Sequence, residues 1–174
     1  IAAAAVGPEN VLAISMPSRF SSQHSIDDAR YTAQSLGIEF KIESIDELHS
    51  TLDGQIGVML SEGHSVAAEN VQSRLRGMIV MAYANSQGRM AIATGNKSEL
   101  AQGYCTLYGD MAGGYSPLGD LYKMQVYAIC EEFNSRAKAV NQAPPVNPST
   151  LTKPPSAELA PDQKDEDTLP PYSV

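Results

Sequence analysis

The sequence predicts an α/β domain built around a parallel β-sheet, and three observations favour this class. A strand pattern, a helix pattern and a second strand pattern follow one another within the first 45 residues, which is the order typical of a parallel βαβ unit. Another apolar strand pattern runs directly into a Gly-rich loop and a further helix. A chain of 174 residues has the size of one domain, and such a domain buries roughly 70% of the surface that its unfolded form exposes.

The N-terminal elements make up the βαβ unit. Residues 1–6 have the pattern of a helix end, stopped by Gly7 and Pro8. The apolar run Asn10–Ser15 predicts a strand, and the polar stretch after it predicts a loop of the kind that carries ligands at the carboxyl end of a strand. We expect Ser25 to be the N-cap of a helix that ends at Gly37. The alternation in IEFKIES then predicts the second strand.

Three more elements and a tail follow. Apolar positions at helical spacing predict a helix from Ala67 to about Asn85, and RMAIAT, residues Arg89–Thr94, predicts a buried strand. The Gly-rich stretch 95–120 comes next, and Leu121 to about Ala139 predicts another helix. Eight of the eleven prolines lie in 141–174 together with the acidic run DQKDED. This composition predicts that 141–174 is either a mobile segment or an extended lid on the domain formed by 1–140.

Composition excludes several classes of function. Apolar residues make up 43% of the chain, but no window of eighteen is apolar and no basic segment precedes an apolar core, so neither a membrane span nor a secretory signal is predicted. Twelve basic and twenty acidic residues give a net charge of -8, which repels nucleic acid. Cys105 and Cys130 have no zinc or redox spacing. We therefore expect a cytoplasmic protein with no membrane or nucleic-acid partner.

Thr94, Glu99 and Lys123 are candidates for a nucleotide site. Thr94 ends the predicted strand and Glu99 follows it on a newly started helix, a placement that suits a nucleotide and its Mg²⁺, since that ion takes one or two protein carboxylates besides water and phosphate oxygens. A helix cap followed by a glutamate that the helix dipole favours is the commoner meaning of this spacing. Lys123 begins a helix after a Gly/Pro loop, where it either neutralises phosphate charge or remains a solvated surface lysine.

Two other pairs of residues leave alternatives open. Arg74 and Arg76 are two positions apart on a helix, so their side chains point about 200° apart and at most one of them faces a site. In KPPSAEL, the two prolines fix the backbone and present Ser156 and Glu158 to whatever lies beneath. This stretch is either part of a site or a linker with chance polar residues.

Several long runs resemble one known family. ATGNKSELAQGYCTLYGDMAGGYSPLGDLYKMQVY and LTKPPSAELAPDQKDEDTLPPYSV are similar to the synthetase domain of NAD⁺ synthetases, and the glutamine-dependent type is the better match. VLAISMPSRFSSQHSIDDA and ENVQSRLRGMIVMAYAN fit the same family in order and spacing. The resemblance implies a doubly wound parallel sheet with helices on both faces, of the ATP-pyrophosphatase type.

The resemblance also implies an activity and its partners. It implies a ligase that amidates deamido-NAD⁺ to NAD⁺. In such an enzyme, ATP would adenylate the nicotinate carboxylate and release pyrophosphate, and ammonia, free or from glutamine, would then displace AMP. We expect ATP and Mg²⁺ as cofactors, a homodimer, and a glutaminase domain in the full-length protein. The alternatives are another amidating ATP pyrophosphatase and a non-catalytic nucleotide-binding or dimerisation module.

Site residues follow from the resemblance position by position. Thr94, Lys123 and Ser156 resemble the ATP contacts, and Glu99 resembles the magnesium ligand. The residues that resemble the family's deamido-NAD⁺ contacts are Arg74, Tyr104, Cys105, Thr106, Leu107 and Asp110. The family's phosphate-binding loop, S-G-G-x-D-S, is expected just before residue 1, and without it we expect this chain alone to be inactive.

Overall fold

The βαβ unit predicted from the sequence is present in the computed structural model, which describes residues 1–62 and 65–172. Strands β1 (Leu12–Ser15) and β2 (Glu39–Ile42) pair in parallel, with Leu12 opposite Glu39 and Ser15 opposite Ile42. Helix α2 (Gln23–Leu36) connects them and ends at Gly37, whose φ of 68° is left-handed, a conformation that glycine adopts without steric cost. A short helix α1 (Ala2–Val6) precedes β1 and ends at Gly7 as predicted.

The predicted N-cap of α2 was wrong by three residues. Ser22 is the cap, because its backbone is extended (φ -70°, ψ 145°) and its hydroxyl accepts a hydrogen bond from the N–H of Ser25 at 3.2 Å. Ser25 therefore lies in the first turn of the helix. Both serines have a hydroxyl that suits a cap, so residue type alone could not separate them.

Two long helices follow β2. Helix α3 (Asp46–Glu62) was not predicted, because Gly54 and Gly57 lower its helix propensity and interrupt its apolar pattern. Helix α4 (Ser65–Gln87) confirms the predicted helix and extends it by two residues at each end. Leu75 and Ala84 are buried on it, and α4 supports the loops of the candidate site described below.

The predicted strand Arg89–Thr94 was wrong. The segment forms one isolated parallel bridge, between Ile92 and Tyr115, with the N–H of Ala93 donating to the Tyr115 carbonyl at 2.9 Å and that of Gly114 donating to the Ala91 carbonyl at 2.9 Å. Ala91 and Ala93 are buried as a strand pattern requires. Their partner, however, is a Gly-rich loop that turns away after one bridge, so no ladder develops.

The C-terminal half is helical and loop-rich. Helix α5 (Lys97–Gln102) is followed by α6 (Lys123–Ala139) and by α7 (Pro148–Thr152). Helix α6 confirms the helix predicted from Leu121 to about Ala139 and begins two residues later. Two 3₁₀ turns lie at Pro8–Asn10 and Asp165–Asp167. In the described ranges 1–62 and 65–172, no helix is both long and apolar enough to cross a membrane.

The proline-rich segment lies against the helices, and its described part ends at residue 172. The Tyr31 hydroxyl on α2 donates to the Pro144 carbonyl at 3.0 Å. Asn134 on α6 exchanges two hydrogen bonds with the backbone of Val146, at 2.9 and 3.0 Å. Buried Asp28 on α2 accepts from the Asn147 amide and the Ser149 hydroxyl at 2.8 and 2.9 Å.

Candidate functional site

The start of α5 is closed by a reciprocal cap. Asn96, which is 4% exposed, accepts through Oδ1 from the Glu99 N–H, and Glu99 accepts through Oε2 from the Asn96 N–H, both at 3.1 Å. This arrangement satisfies two backbone donors that the helix leaves unpaired. Glu99 thus has the capping role that its spacing favours, while its second oxygen, Oε1, remains for another partner.

That second partner is Lys123. Its ammonium nitrogen lies 3.4 Å from Glu99 Oε1, and the two side chains are only 19% and 21% exposed. The pair forms because the starts of α5 and α6 meet: the Lys97 N–H donates to the Leu121 carbonyl at 2.8 Å and the Lys123 N–H to the Ser98 hydroxyl at 3.1 Å. The two predicted residues are therefore neighbours although 24 positions separate them.

The surroundings of this pair combine aromatic rings with acidic groups. Lys123 Nζ lies 5.3 Å from the centre of the Tyr172 ring, and the Tyr172 hydroxyl donates to buried Asp165 at 2.9 Å. Burial, followed by the charges of Asp165, Glu69 and Glu99, raises the pKa of Tyr104 to about 12. The Tyr104 phenol therefore remains protonated at neutral pH and is an uncharged polar group in this region.

Thr94 and Ser156 are both exposed. Within residues 1–62 and 65–172, no hydrogen bond joins either hydroxyl to that pair. The Ser156 hydroxyl donates to the Gln163 carbonyl at 2.5 Å and accepts from the Glu158 N–H at 3.0 Å. Ser156 is thus fixed by its own segment, and Thr94 is open to solvent at the entry to α5.

Arg74 and Arg76 contact different loops, in keeping with the opposite directions expected from their spacing. Exposed Arg74 donates through Nε to the Leu107 carbonyl at 3.3 Å. Arg76 donates through Nε to the Met16 carbonyl, after β1, at 2.9 Å. Arg74 is therefore the one associated with the 104–110 loop.

The 104–110 loop is tied to α4 by Asp110 and Thr106. Asp110 Oδ1 accepts from the Thr106 N–H at 2.8 Å and from the Ser73 hydroxyl at 2.9 Å, and its own N–H donates back to that hydroxyl at 3.0 Å. The buried Thr106 hydroxyl donates to Asn70 at 2.6 Å. Ser73 and Asn70 were missed at the sequence level, since nothing in a helical stripe marks a polar position as a loop anchor.

Cys105 and Leu107 belong to the same loop but differ in exposure. Leu107 is 61% exposed and the neighbouring Tyr108 is 82% exposed. Burial, then the charge of Asp110, raises the pKa of the half-buried Cys105 thiol, which keeps it protonated at neutral pH. Cys105 is consequently a packing group in this loop, and the nucleophilic thiolate form is disfavoured.

Glu99 offers one carboxylate oxygen, Oε1, outside the helix cap. In the part of the chain that the structure describes, no group of three or more His, Cys, Asp or Glu side chains forms a protein-only metal site. A single carboxylate is compatible with Mg²⁺, because that ion commonly binds one or two carboxylates and completes its octahedron with phosphate oxygens and water. Glu99 would have to exchange its contact with Lys123 for the ion, while its other oxygen continues to cap α5.

Comparisons with known proteins converge on one family. A family model described as NAD synthase matches residues 1–174. The glutamine-dependent NAD(+) synthetase of Rhodobacter capsulatus is 47% identical over 178 residues, which cover all of this chain and 32% of that protein. The chain therefore spans about a third of the length of this curated relative.

Two solved structures have the same fold. The glutamine-dependent NAD⁺ synthetase of Acinetobacter baumannii, in complex with ADP, superposes with a TM-score of 0.81 at 34% identity, covering 91% of this chain and 30% of that one. The NMN synthetase of Francisella tularensis superposes with a TM-score of 0.73 at 32% identity, covering 90% of this chain and 60% of that one. The predicted α/β fold class is confirmed by these superpositions.

Proposed function

The chain belongs to the NAD synthase family, and we propose that the protein carrying it converts deamido-NAD⁺ to NAD⁺ by ATP-dependent amidation. The observation that carries the proposal is the family match over all 174 residues, joined to the half-buried Glu99–Lys123 pair at the meeting point of two helix starts. A carboxylate and an ammonium in this setting suit a metal ion and the phosphates that it accompanies.

The proposed reaction has two steps. A nicotinate carboxylate oxygen attacks the α-phosphorus of ATP, and pyrophosphate leaves with the electrons of the broken P–O bond. Ammonia then attacks the acyl carbon, and AMP leaves with the carboxylate oxygen that it gained. Activation is required because a free carboxylate is a poor acceptor for ammonia, whereas the acyl adenylate carries a good leaving group.

We assign ATP to Thr94, Lys123 and Ser156. Lys123 would leave Glu99 and pair with a phosphate oxygen, so its ammonium would exchange one anionic partner for another. Mg²⁺ on Glu99 would supply positive charge to the phosphate oxygens. Asn96 keeps the start of α5 in place during this exchange, since the capping bonds do not involve Glu99 Oε1.

We assign deamido-NAD⁺ to Arg74 and to the loop that it contacts, that is, Tyr104, Cys105, Thr106, Leu107 and Asp110. Arg74 is exposed, and its guanidinium has donors beyond the one bound to Leu107. Asp110 and Thr106 would act chiefly by holding the loop on α4. The protonated Tyr104 adds an uncharged polar surface beside the acidic groups.

Assembly and location are part of the same proposal. Exposed apolar side chains are present on α4 and the adjoining loop, with Met78 55%, Leu107 61% and Tyr108 82% exposed, which supports a homodimer that covers this face. We propose that 141–172 acts as a lid on the domain of residues 1–140. We also propose a cytoplasmic protein that obtains ammonia from glutamine through a glutaminase domain or uses free ammonia.

Product analysis of the complete protein tests this function. With ATP, Mg²⁺, ammonia and deamido-NAD⁺, we expect NAD⁺, AMP and pyrophosphate in equal amounts. Preference for the deamido form of NMN would instead favour the activity named for the Francisella relative. ATP binding with none of these products would favour the non-catalytic module.

A further inference from the structure

Glu158 makes most of the hydrogen bonds between segment 153–163 and the start of α2. Glu158 accepts three hydrogen bonds there: from the Ser22 N–H at 3.1 Å, from the Ser22 hydroxyl at 2.8 Å and from the Ser25 hydroxyl at 2.7 Å. Ser22 is the N-cap of α2, so the carboxylate lies at the positive end of the helix. Glu158 is none of the residues assigned above to ATP, to deamido-NAD⁺ or to Mg²⁺.

Two cationic side chains accompany this carboxylate. Lys153 donates from Nζ to the Ser25 hydroxyl at 2.8 Å, on the same turn that Glu158 binds. Burial lowers the pKa of Arg76, and the charge of nearby Glu158 opposes that shift. Arg76 therefore adds a favourable charge interaction to the hydrogen bonds of Glu158, whereas Lys153 forms its ion pair with Asp28 at 3.8 Å. A neutral side chain of the same shape as Glu158 would lose the interaction with Arg76.

The backbone of Glu158 in turn orients Ser156. Glu158 has φ 51°, a left-handed conformation that a residue with a Cβ adopts only where its surroundings enforce it. In that conformation its N–H donates to the Ser156 hydroxyl at 3.0 Å while the hydroxyl donates to the Gln163 carbonyl at 2.5 Å. The hydroxyl proton is thus committed, and one lone pair remains to accept from a donor.

We propose that Glu158 is a positioning residue, which holds Ser156 in a fixed orientation for ATP by binding the start of α2. The proposal rests on the function proposed above, in which Ser156 contacts ATP. It adds that Ser156 acts as an acceptor, toward a nucleotide hydroxyl or amino group rather than toward phosphate. It also makes the loop after β1 and the segment 153–163 a single unit, since Ser22 ends the former and Glu158 lies in the latter.

Hydrogen exchange of the complete protein without nucleotide tests the anchoring by itself. Glu158→Gln keeps the shape but loses the charge and one acceptor, and Glu158→Ala loses all three bonds. Because hydrogen bonds to a charged group are stronger than those between neutral groups, we expect exchange across 153–163 to rise about 10-fold or more in the alanine variant. The glutamine variant should lie between the alanine variant and wild type. Glu131→Gln, an exposed glutamate on α6, is the matched control and should leave exchange unchanged.

Steady-state kinetics test the positioning. We expect Glu158→Ala to raise KM for ATP about 10-fold with kcat nearly unchanged, because this is the effect of losing an interaction made equally in the ground and transition states. Glu158→Gln should restore part of the affinity for ATP. Unchanged exchange in both Glu158 variants overturns the anchoring whether or not the protein is a synthetase. If wild type turns over ATP, and the Glu158 variants show increased exchange but the same KM for ATP as wild type, the positioning of Ser156 is overturned. A wild type that binds no ATP refutes the proposed function, while the exchange result still decides the anchoring.

Discussion

A methyl group added at Gly77 tests how closely the 104–110 loop is packed on α4. A Cβ at this position would lie 2.6 Å from the Tyr108 carbonyl oxygen and 2.8 Å from that of Gly109. The loop backbone would have to retreat by roughly 0.8 Å to regain ordinary contact. Overpacking of this kind costs about 1–3 kcal/mol, against a gain of about 1 kcal/mol from the better helix propensity of alanine.

Gly54 in α3 is the matched control. A Cβ there would meet nothing within 4 Å, so Gly54→Ala should gain the propensity of about 1 kcal/mol without a clash. The free energy of unfolding of Gly77→Ala should consequently fall below that of Gly54→Ala by about 1–3 kcal/mol in equilibrium urea unfolding. Under the proposed function, Gly77→Ala should also bind deamido-NAD⁺ more weakly and ATP normally. Equal stability of the two alanine variants would refute the close packing of the loop on α4.

Three other measurements address single ionisable groups. Burial would raise the pKa of Asp28, but the hydrogen bond from Ser149 and the charge of His24 outweigh burial and lower the pKa below 3.8. The stability that this carboxylate contributes is therefore present above pH 3.8 and is lost as the pH falls through the pKa of the folded state. Asp28→Asn should flatten that part of the curve of urea midpoint against pH. The absorbance difference between wild type and Tyr104→Phe should develop near pH 12, the raised pKa of Tyr104, and its appearance near pH 10 would contradict the burial of the ring. Glu99→Gln retains a capping oxygen but lacks charge, so we expect kcat to fall roughly 10²-fold at ordinary Mg²⁺ with little change in stability; near-normal turnover would leave Glu99 with the cap alone.

Local pattern predicted the order of the first elements and the long helices. The βαβ order and helices α4 and α6 follow from apolar periodicity and from glycine stops. The strand expected at 89–94 failed because a strand depends on its partner, and the partner around Tyr115 makes only one bridge. Ser22 and Ser25 have equal capping chemistry, so only the backbone geometry of the folded chain identifies the cap.

The candidate site was predictable in its residue types but not in its pairing. Glu99 and Lys123 each lie at a helix start, which the sequence indicates. Their contact, however, depends on the hydrogen bond from the Lys97 N–H to the Leu121 carbonyl. The contact of Glu158 with Ser22 spans 136 positions, and no local pattern determines which surface a proline-rich segment covers. Long-range polar contacts of this kind are set by tertiary packing.

An isotope experiment on the complete protein tests the proposed amidation through an adenylate most directly. Deamido-NAD⁺ labelled with oxygen-18 in both carboxylate oxygens is incubated with ATP, Mg²⁺ and ammonia, and the products are analysed by mass spectrometry. Transfer of the α-phosphoryl group predicts one labelled oxygen in AMP, the other retained in the amide of NAD⁺, and unlabelled pyrophosphate equal in amount to AMP. Label in inorganic phosphate, with ADP as the nucleotide product, would contradict adenylation and with it the assignment of this chain to ATP-pyrophosphatase chemistry.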